Sequence, residues 1–194
     1  MSYTYEIGLA LEPPLALLTV VFCADTYVQE ISSKRSEIAR LYPIKNRMAS
    51  IGRRMGAQET YLLLLAAFGY GMFYIFQKPV SFYGEKFGAD EEWYLFLVYM
   101  AAIVVTLLFW GILSLALSCV FRNMWAGIGI CLVLWLITDS TIGERFLRKW
   151  NLFSYTFRNI ENRTDSSWVC GKIICIVCCM IMAAVLPQIV KNRG

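Results

Sequence analysis

The sequence contains no histidine. That absence excludes Ser-His-Asp and Cys-His catalysis, the HExxH zinc site and haem ligation through imidazole. Charge is scarce as well: Asp, Glu, Lys and Arg make up 16% of the 194 residues, against 58% hydrophobic and 15% aromatic residues. A soluble domain carries about 25% charged residues, so this balance implies an integral membrane protein. No GxxxxGK[ST] occurs, and Gly52-Arg53-Arg54-Met55-Gly56 has neither the spacing nor the lysine of a phosphate-cradling loop. No cofactor is expected on this chain. GxSxG and DxxDG-type patterns are missing too, and the adjacent carboxylates Glu91 and Glu92 have no histidine to work with, so the chain by itself is not expected to be an enzyme. The formal net charge of +4 is concentrated in one segment between apolar runs, which suits a cytoplasmic loop and argues against nucleic acid as a partner.

What is present is mostly apolar sequence. The seven cysteines, Cys23, Cys119, Cys131, Cys170, Cys175, Cys178 and Cys179, lie in or beside apolar runs, where they read as small hydrophobes; Cys175-x-x-Cys178 has no second ligand pair for a metal. Five stretches approach the length needed to cross a hydrocarbon core: about 9–28, 61–76, 93–121, 125–138 and 168–190. The expected fold is one all-α transmembrane domain over 1–194, with five spans. Between the last two spans, residues 141–163 interleave Phe146, Leu147, Trp150, Phe153 and Tyr155 with Arg145, Arg148, Lys149 and Arg158, as amphipathic helices on the outer membrane surface would.

Lysine and arginine set the orientation. The first thirty-three residues carry neither, whereas Lys34, Arg35, Arg40, Lys45, Arg47, Arg53 and Arg54 follow the first span, and Lys191 and Arg193 follow the last. A multi-pass protein of the cell membrane is expected, amino terminus outside and carboxyl terminus cytoplasmic. The basic segment after the fourth span runs against this rule. No positive region precedes the first apolar run and no small-residue cleavage site follows it, so the first span is expected to be retained.

The cytoplasmic segment carries the most information. Ile31, Ile38, Ala39, Leu41 and Tyr42 approximate one helical face, Ser32 or Ser33 suits the start, and Pro43 restricts continuation, which gives a short amphipathic helix over about 33–43. Such a helix either lies on acidic lipid or docks on a soluble protein. With these residues the chain resembles the permease subunits of ABC exporters of the ABC-2 type. Those proteins follow a span with an acidic residue, a short coupling helix, a proline and a basic residue, matched here by Glu30, Ser36 to Tyr42, Pro43, and Lys45 with Arg47. The resemblance continues through a long span, a tight inside turn at Arg122 and Asn123, a short span, external amphipathic helices and a last span. The family's usual first span of six has no counterpart here, which leaves the other five in their usual orientations.

The resemblance implies that Glu30, Arg35, Ser36, Glu37, Ile38, Ala39, Arg40, Leu41, Tyr42 and Pro43 couple the chain to separate ABC ATPase subunits. Two such subunits are expected, carrying ATP and Mg, together with a second permease subunit, identical or related. The function so implied is transmission of ATPase motion to move an amphipathic peptide, lipid-like molecule or hydrophobic substrate; the alternative is a membrane scaffold or sensor that recruits a cytoplasmic partner without transport. Glu12, Tyr70 and Tyr74 are candidates for a substrate path, although Glu12, beside Pro13 and Pro14, also suits a place among the headgroups. Lys172 is expected to snorkel to the outer surface beside Trp168. Asp25 reads as a solvated or Arg-paired residue at the cytoplasmic edge, and Gly69, Gly71, Gly127 and Gly129 as close-packing positions. Asn162-Arg163-Thr164 has the form of a glycosylation acceptor.

Overall fold

A computed structural model describes residues 3–28, 41–77, 89–140 and 167–193, and among these residues it is all-helical. The elements are α1 (Tyr3–Ala24), α2 (Ile44–Gln77), α3 (Ala89–Phe121), α4 (Met124–Asp139) and α5 (Ser167–Arg193). The expected amphipathic segment at 141–163, the glycosylation pattern and most of the 33–43 helix lie outside the described residues. Two helical stretches, Trp93–Phe121 and Trp168–Asn192, are long and apolar enough to cross a membrane; Ala10–Ala24 and Met124–Thr138 are shorter apolar helices.

Local chemistry explains the helix limits. Pro43 opens α2: its carbonyl accepts from Asn46 N (2.9 Å) and Arg47 N (3.3 Å). A proline there loses no helical hydrogen bond, since the first N–H groups of a helix have no partner. α2 then runs for 34 residues, about 51 Å at 1.5 Å per residue, and so begins well before its apolar run at Tyr61. Its basic first half stays helical because Ile51 and Met55, one turn apart, are buried against other helices. The turn between α3 and α4 is as short as the sequence suggests. Arg122 takes a left-handed φ of 52°, and Asn123 caps α4 by accepting from Trp125 N at 2.9 Å.

Hydrogen bonds fix the relative register. Ser114 Oγ donates to Val20 O (2.7 Å), and Thr106 Oγ1 meets the Glu12 carboxylate, both with a sequence offset of 94; α1 and α3 therefore run parallel. α2 is antiparallel to both. Its later residues Leu62, Ala66 and Tyr70 pack with Ile7, Leu15, Tyr99 and Ile103, while Ile51 and Met55 pack with Cys23, Tyr27, Leu115 and Cys119. Leu186 and Val190 of α5 join that second group, which makes α5 parallel to α1 and α3. A third apolar group, with Ala16, Val20, Phe109, Trp110, Cys131 and Cys175, lies between the other two.

Around an apolar core, polarity is partly inverted relative to a water-soluble bundle. Glu12, Thr19, Thr106, Ser114, Ser118 and Lys172 are buried, whereas Leu64, Phe68, Phe76, Leu97, Leu136 and Met180 are exposed. Small and hydroxyl-bearing residues allow close approach of helices. At Gly127 an added Cβ would lie 2.0 Å from Ser118 Oγ and 2.9 Å from Ser118 backbone, so the α3–α4 crossing requires glycine. Gly69 has a looser neighbour in Leu11, while Gly71 and Gly129 face open space rather than another helix.

Candidate functional site

The most unusual chemistry joins the middle of α1, the middle of α3 and the beginning of α5. Glu12 is 1% exposed, Thr106 1% and Lys172 5%. Lys172 Nζ forms an ion pair with Glu12 Oε1 and also donates to Thr106 Oγ1. The Thr106 hydroxyl has one proton, which goes either to Glu12 Oε1 or back to Ala102 O at 3.1 Å. Apolar neighbours surround this polar group along the helices: Ile103 and Leu107 beside Thr106, and Phe109 and Trp110 one turn further along α3. In such a medium a lone ammonium or carboxylate is expensive, and each here supplies the other's counter-charge.

This geometry overturns one expectation. Lys172 does not snorkel outward beside Trp168; it turns into the bundle because Glu12 offers a buried carboxylate within reach. Glu12 is drawn into the bundle by the same pair. α1 continues through Pro13 and Pro14, placing Glu12 well inside the helix rather than at its end. Of the candidate substrate-path residues, Tyr70 belongs to a separate aromatic group, with ring centroids 4.7 Å from Phe96 and 5.7 Å from Tyr99. The Tyr74 side chain lies outside the described residues.

A second polar group closes the carboxyl end of α1. Thr26 Oγ1 donates to Gln58 Oε1 (2.9 Å), Gln58 Nε2 to Phe22 O (3.2 Å) and Arg54 to Thr26 O (3.3 Å). Arg47 donates to Tyr27 Oη and to Val190 O (3.2 Å), with its guanidinium 5.8 Å from the Tyr27 ring centroid. These groups meet carbonyls that a helix end leaves without intrahelical partners, and cations suit the negative end of the helix dipole. Asp25 is half-buried in the turn following α1.

Glu59 forms a third feature, one not singled out from the sequence. Its Oε1 is buried without a hydrogen-bond partner among the described residues, 3.0 Å from where a Cβ would stand on Gly111; the Cys23 thiol is 3.2 Å from the same point. The sequence signal was the lone acid just before the apolar run of α2. All seven cysteines are free thiols, and no group of three or more metal-ligating residues occurs among the described residues.

Of the expected coupling residues, Glu30, Arg35, Ser36, Glu37, Ile38, Ala39 and Arg40 lie outside the described residues. Leu41 is 83% exposed and Tyr42 60%, immediately ahead of Pro43 and α2. Two large apolar side chains are thus presented outward at the mouth of the longest helix in the structure. Compared with known proteins, the chain matches no family model, no curated protein and no solved structure.

Proposed function

We propose that the chain is the membrane-spanning permease subunit of an ATP-driven exporter of the ABC-2 type, with α1 to α5 as its five spans. The observation that carries this reading is the placement of Leu41 and Tyr42. They stand exposed at the start of α2, whose near end packs Ile51 and Met55 against Cys23 and Leu115 and whose far end packs Tyr70 against Tyr99. A partner that grips Leu41 and Tyr42 therefore holds a rigid rod running through two of the bundle's three apolar groups. Cytoplasmic motion applied there passes through Pro43 into α2 and along it to the opposite side.

The partly inverted polarity supports a lipid environment: exposed aliphatic and aromatic side chains outside, hydroxyls and one neutralised ion pair inside. The start of α2 then faces the cytoplasm, with Lys45, Arg47, Arg53 and Arg54 on that side, the amino terminus outside and the carboxyl terminus inside. ATP and Mg belong to the partner, two copies of an ABC ATPase. A second permease copy or relative completes the path, because five helices enclose no wide channel. The cargo class is amphipathic or hydrophobic, consistent with an interior that is mostly apolar and whose Glu12 and Lys172 neutralise each other.

Copurification from native membranes decides between this and a scaffold. The expected result is a nucleotide-binding subunit whose ATP hydrolysis rises with this chain present and drives cargo movement in vesicles. A cytoplasmic partner without ATP-driven movement would leave the scaffold reading in its place. A cysteine introduced at Ser2 of a cysteine-depleted chain should react with impermeant maleimide from outside the cell; labelling from the cytoplasmic side alone would refute the orientation.

A further inference from the structure

We propose that a crevice between α3, α4 and α5 holds a single hydrocarbon chain of a bilayer amphiphile. This rests on reading the molecule as a membrane bundle. Phe109 and Trp110 form the crevice floor, Leu134 and Thr138 one wall, and Cys178 and Met182 the other, around a half-open volume of about 200 Å³. Its origin is the packing plan: α4 and α5 each lie against α3 but make little contact with each other, so their splay leaves a wedge.

The surroundings identify the occupant. Val133, Leu136 and Ile137 on α4, and Val177, Met180 and Ile181 on α5, are exposed on either side of the wedge. Lipid facing those side chains also faces the opening. An empty wedge forfeits dispersion contacts along its lining, and apolar cavities of about 150 Å³ stay dry while accepting an apolar guest. Water therefore does not fill it. A peptide fits poorly as well, because each backbone N–H and C=O brought inside would need a partner. Thr138 Oγ1 already donates to Trp135 O at 2.8 Å, and one indole N–H from Trp110 is too little to satisfy a peptide backbone. A chain of methylene groups makes no such demand.

The Glu12–Lys172 pair lies about one helical turn from the crevice, measured along α3 from Thr106 to Phe109 and Trp110. It is covered, at 1% and 5% exposure, so a headgroup does not meet it in this conformation. Recognition accordingly concerns the chain and not the headgroup. Because bilayer hydrocarbon is as apolar as the crevice wall, the preference comes from filling a void, and a several-fold enrichment is expected rather than permanent capture.

The test uses the full chain in phosphatidylcholine vesicles containing a trace of phosphatidylcholine with a diazirine in mid-chain. After photolysis, adducts are mapped by mass spectrometry. Met182 and Cys178 should carry several-fold more adduct than Val133 and Val177, which face the same bilayer. Cys178→Phe and Leu134→Phe fill the crevice from opposite walls; each should remove the excess at Met182 and leave Val133 and Val177 unchanged. Helical circular dichroism checks folding, and the second variant serves if the first does not fold. Moving the label to phosphatidylglycerol should not alter the pattern. Equal labelling inside and outside, an excess at Met182 that survives filling, or labelling confined to one headgroup would overturn the proposal. Absence of adducts at Val133 and Val177 as well would refute the membrane reading itself.

Discussion

The middle and the carboxyl end of α1 handle charge in opposite ways. Around Glu12, the charged groups are almost wholly buried and answer each other across three helices: one carboxylate, one ammonium and one hydroxyl. Around Tyr27, Arg47 meets dipoles, donating to the carbonyl of Val190 and to the phenol oxygen. Deep charge demands a counter-charge because desolvation is severe; the Arg47 cation is met by neutral acceptors. The first arrangement is therefore brittle, since loss of one partner strands the other. The second spreads one cation over two neutral acceptors, so losing it strands no charge.

That contrast orders the expected effects of substitution. Lys172→Met leaves Glu12 buried without its counter-charge and should destabilise the bundle by about 3–5 kcal/mol, measured by unfolding in mixed detergent micelles. Combining it with Glu12→Gln should recover most of the loss; a double variant as unstable as the single one would show that the pair is not the source. Gly127→Ala tests packing without charge. Its methyl group would meet Ser118 backbone at 2.9 Å, which the end of a flexible side chain cannot relieve, so about 1–3 kcal/mol is expected in the same assay. Arg47→Ala should cost about 1–2 kcal/mol, because it leaves neutral acceptors rather than a charge without a partner. An Arg47 effect as large as that of Lys172 would erase the distinction between the two regions.

Much of the helical layout could be read directly from composition. Apolar runs at 93–121, 125–138 and 168–190 coincide with α3, α4 and α5 to within a few residues, because charge or a capping asparagine bounds each run. The true length of α2 was hidden. A search for apolar runs finds its second half, whereas the basic half is helical through burial of Ile51 and Met55, a tertiary effect. The ion pair was hidden for another reason: its partners stand 160 residues apart, and no local pattern links them. A usable signal did exist. Two isolated, opposite charges within apolar runs each require compensation, and pairing them is the economical solution. Tyr70 packs with the rings of Phe96 and Tyr99, contacts that no local pattern announced.

The central claim concerns Leu41 and Tyr42 rather than the buried pair. Both are exposed, so replacing them by alanine removes no core contact and should leave unfolding unchanged. If they are anchors for a cytoplasmic ATPase, the Leu41→Ala/Tyr42→Ala chain should lose about 2–4 kcal/mol of partner binding. The decisive measurement is ATP hydrolysis and cargo movement by the copurified partner in vesicles carrying either the wild-type chain or this double variant. The account predicts normal insertion with loss of both partner stimulation and transport; full stimulation and transport by the double variant would contradict it.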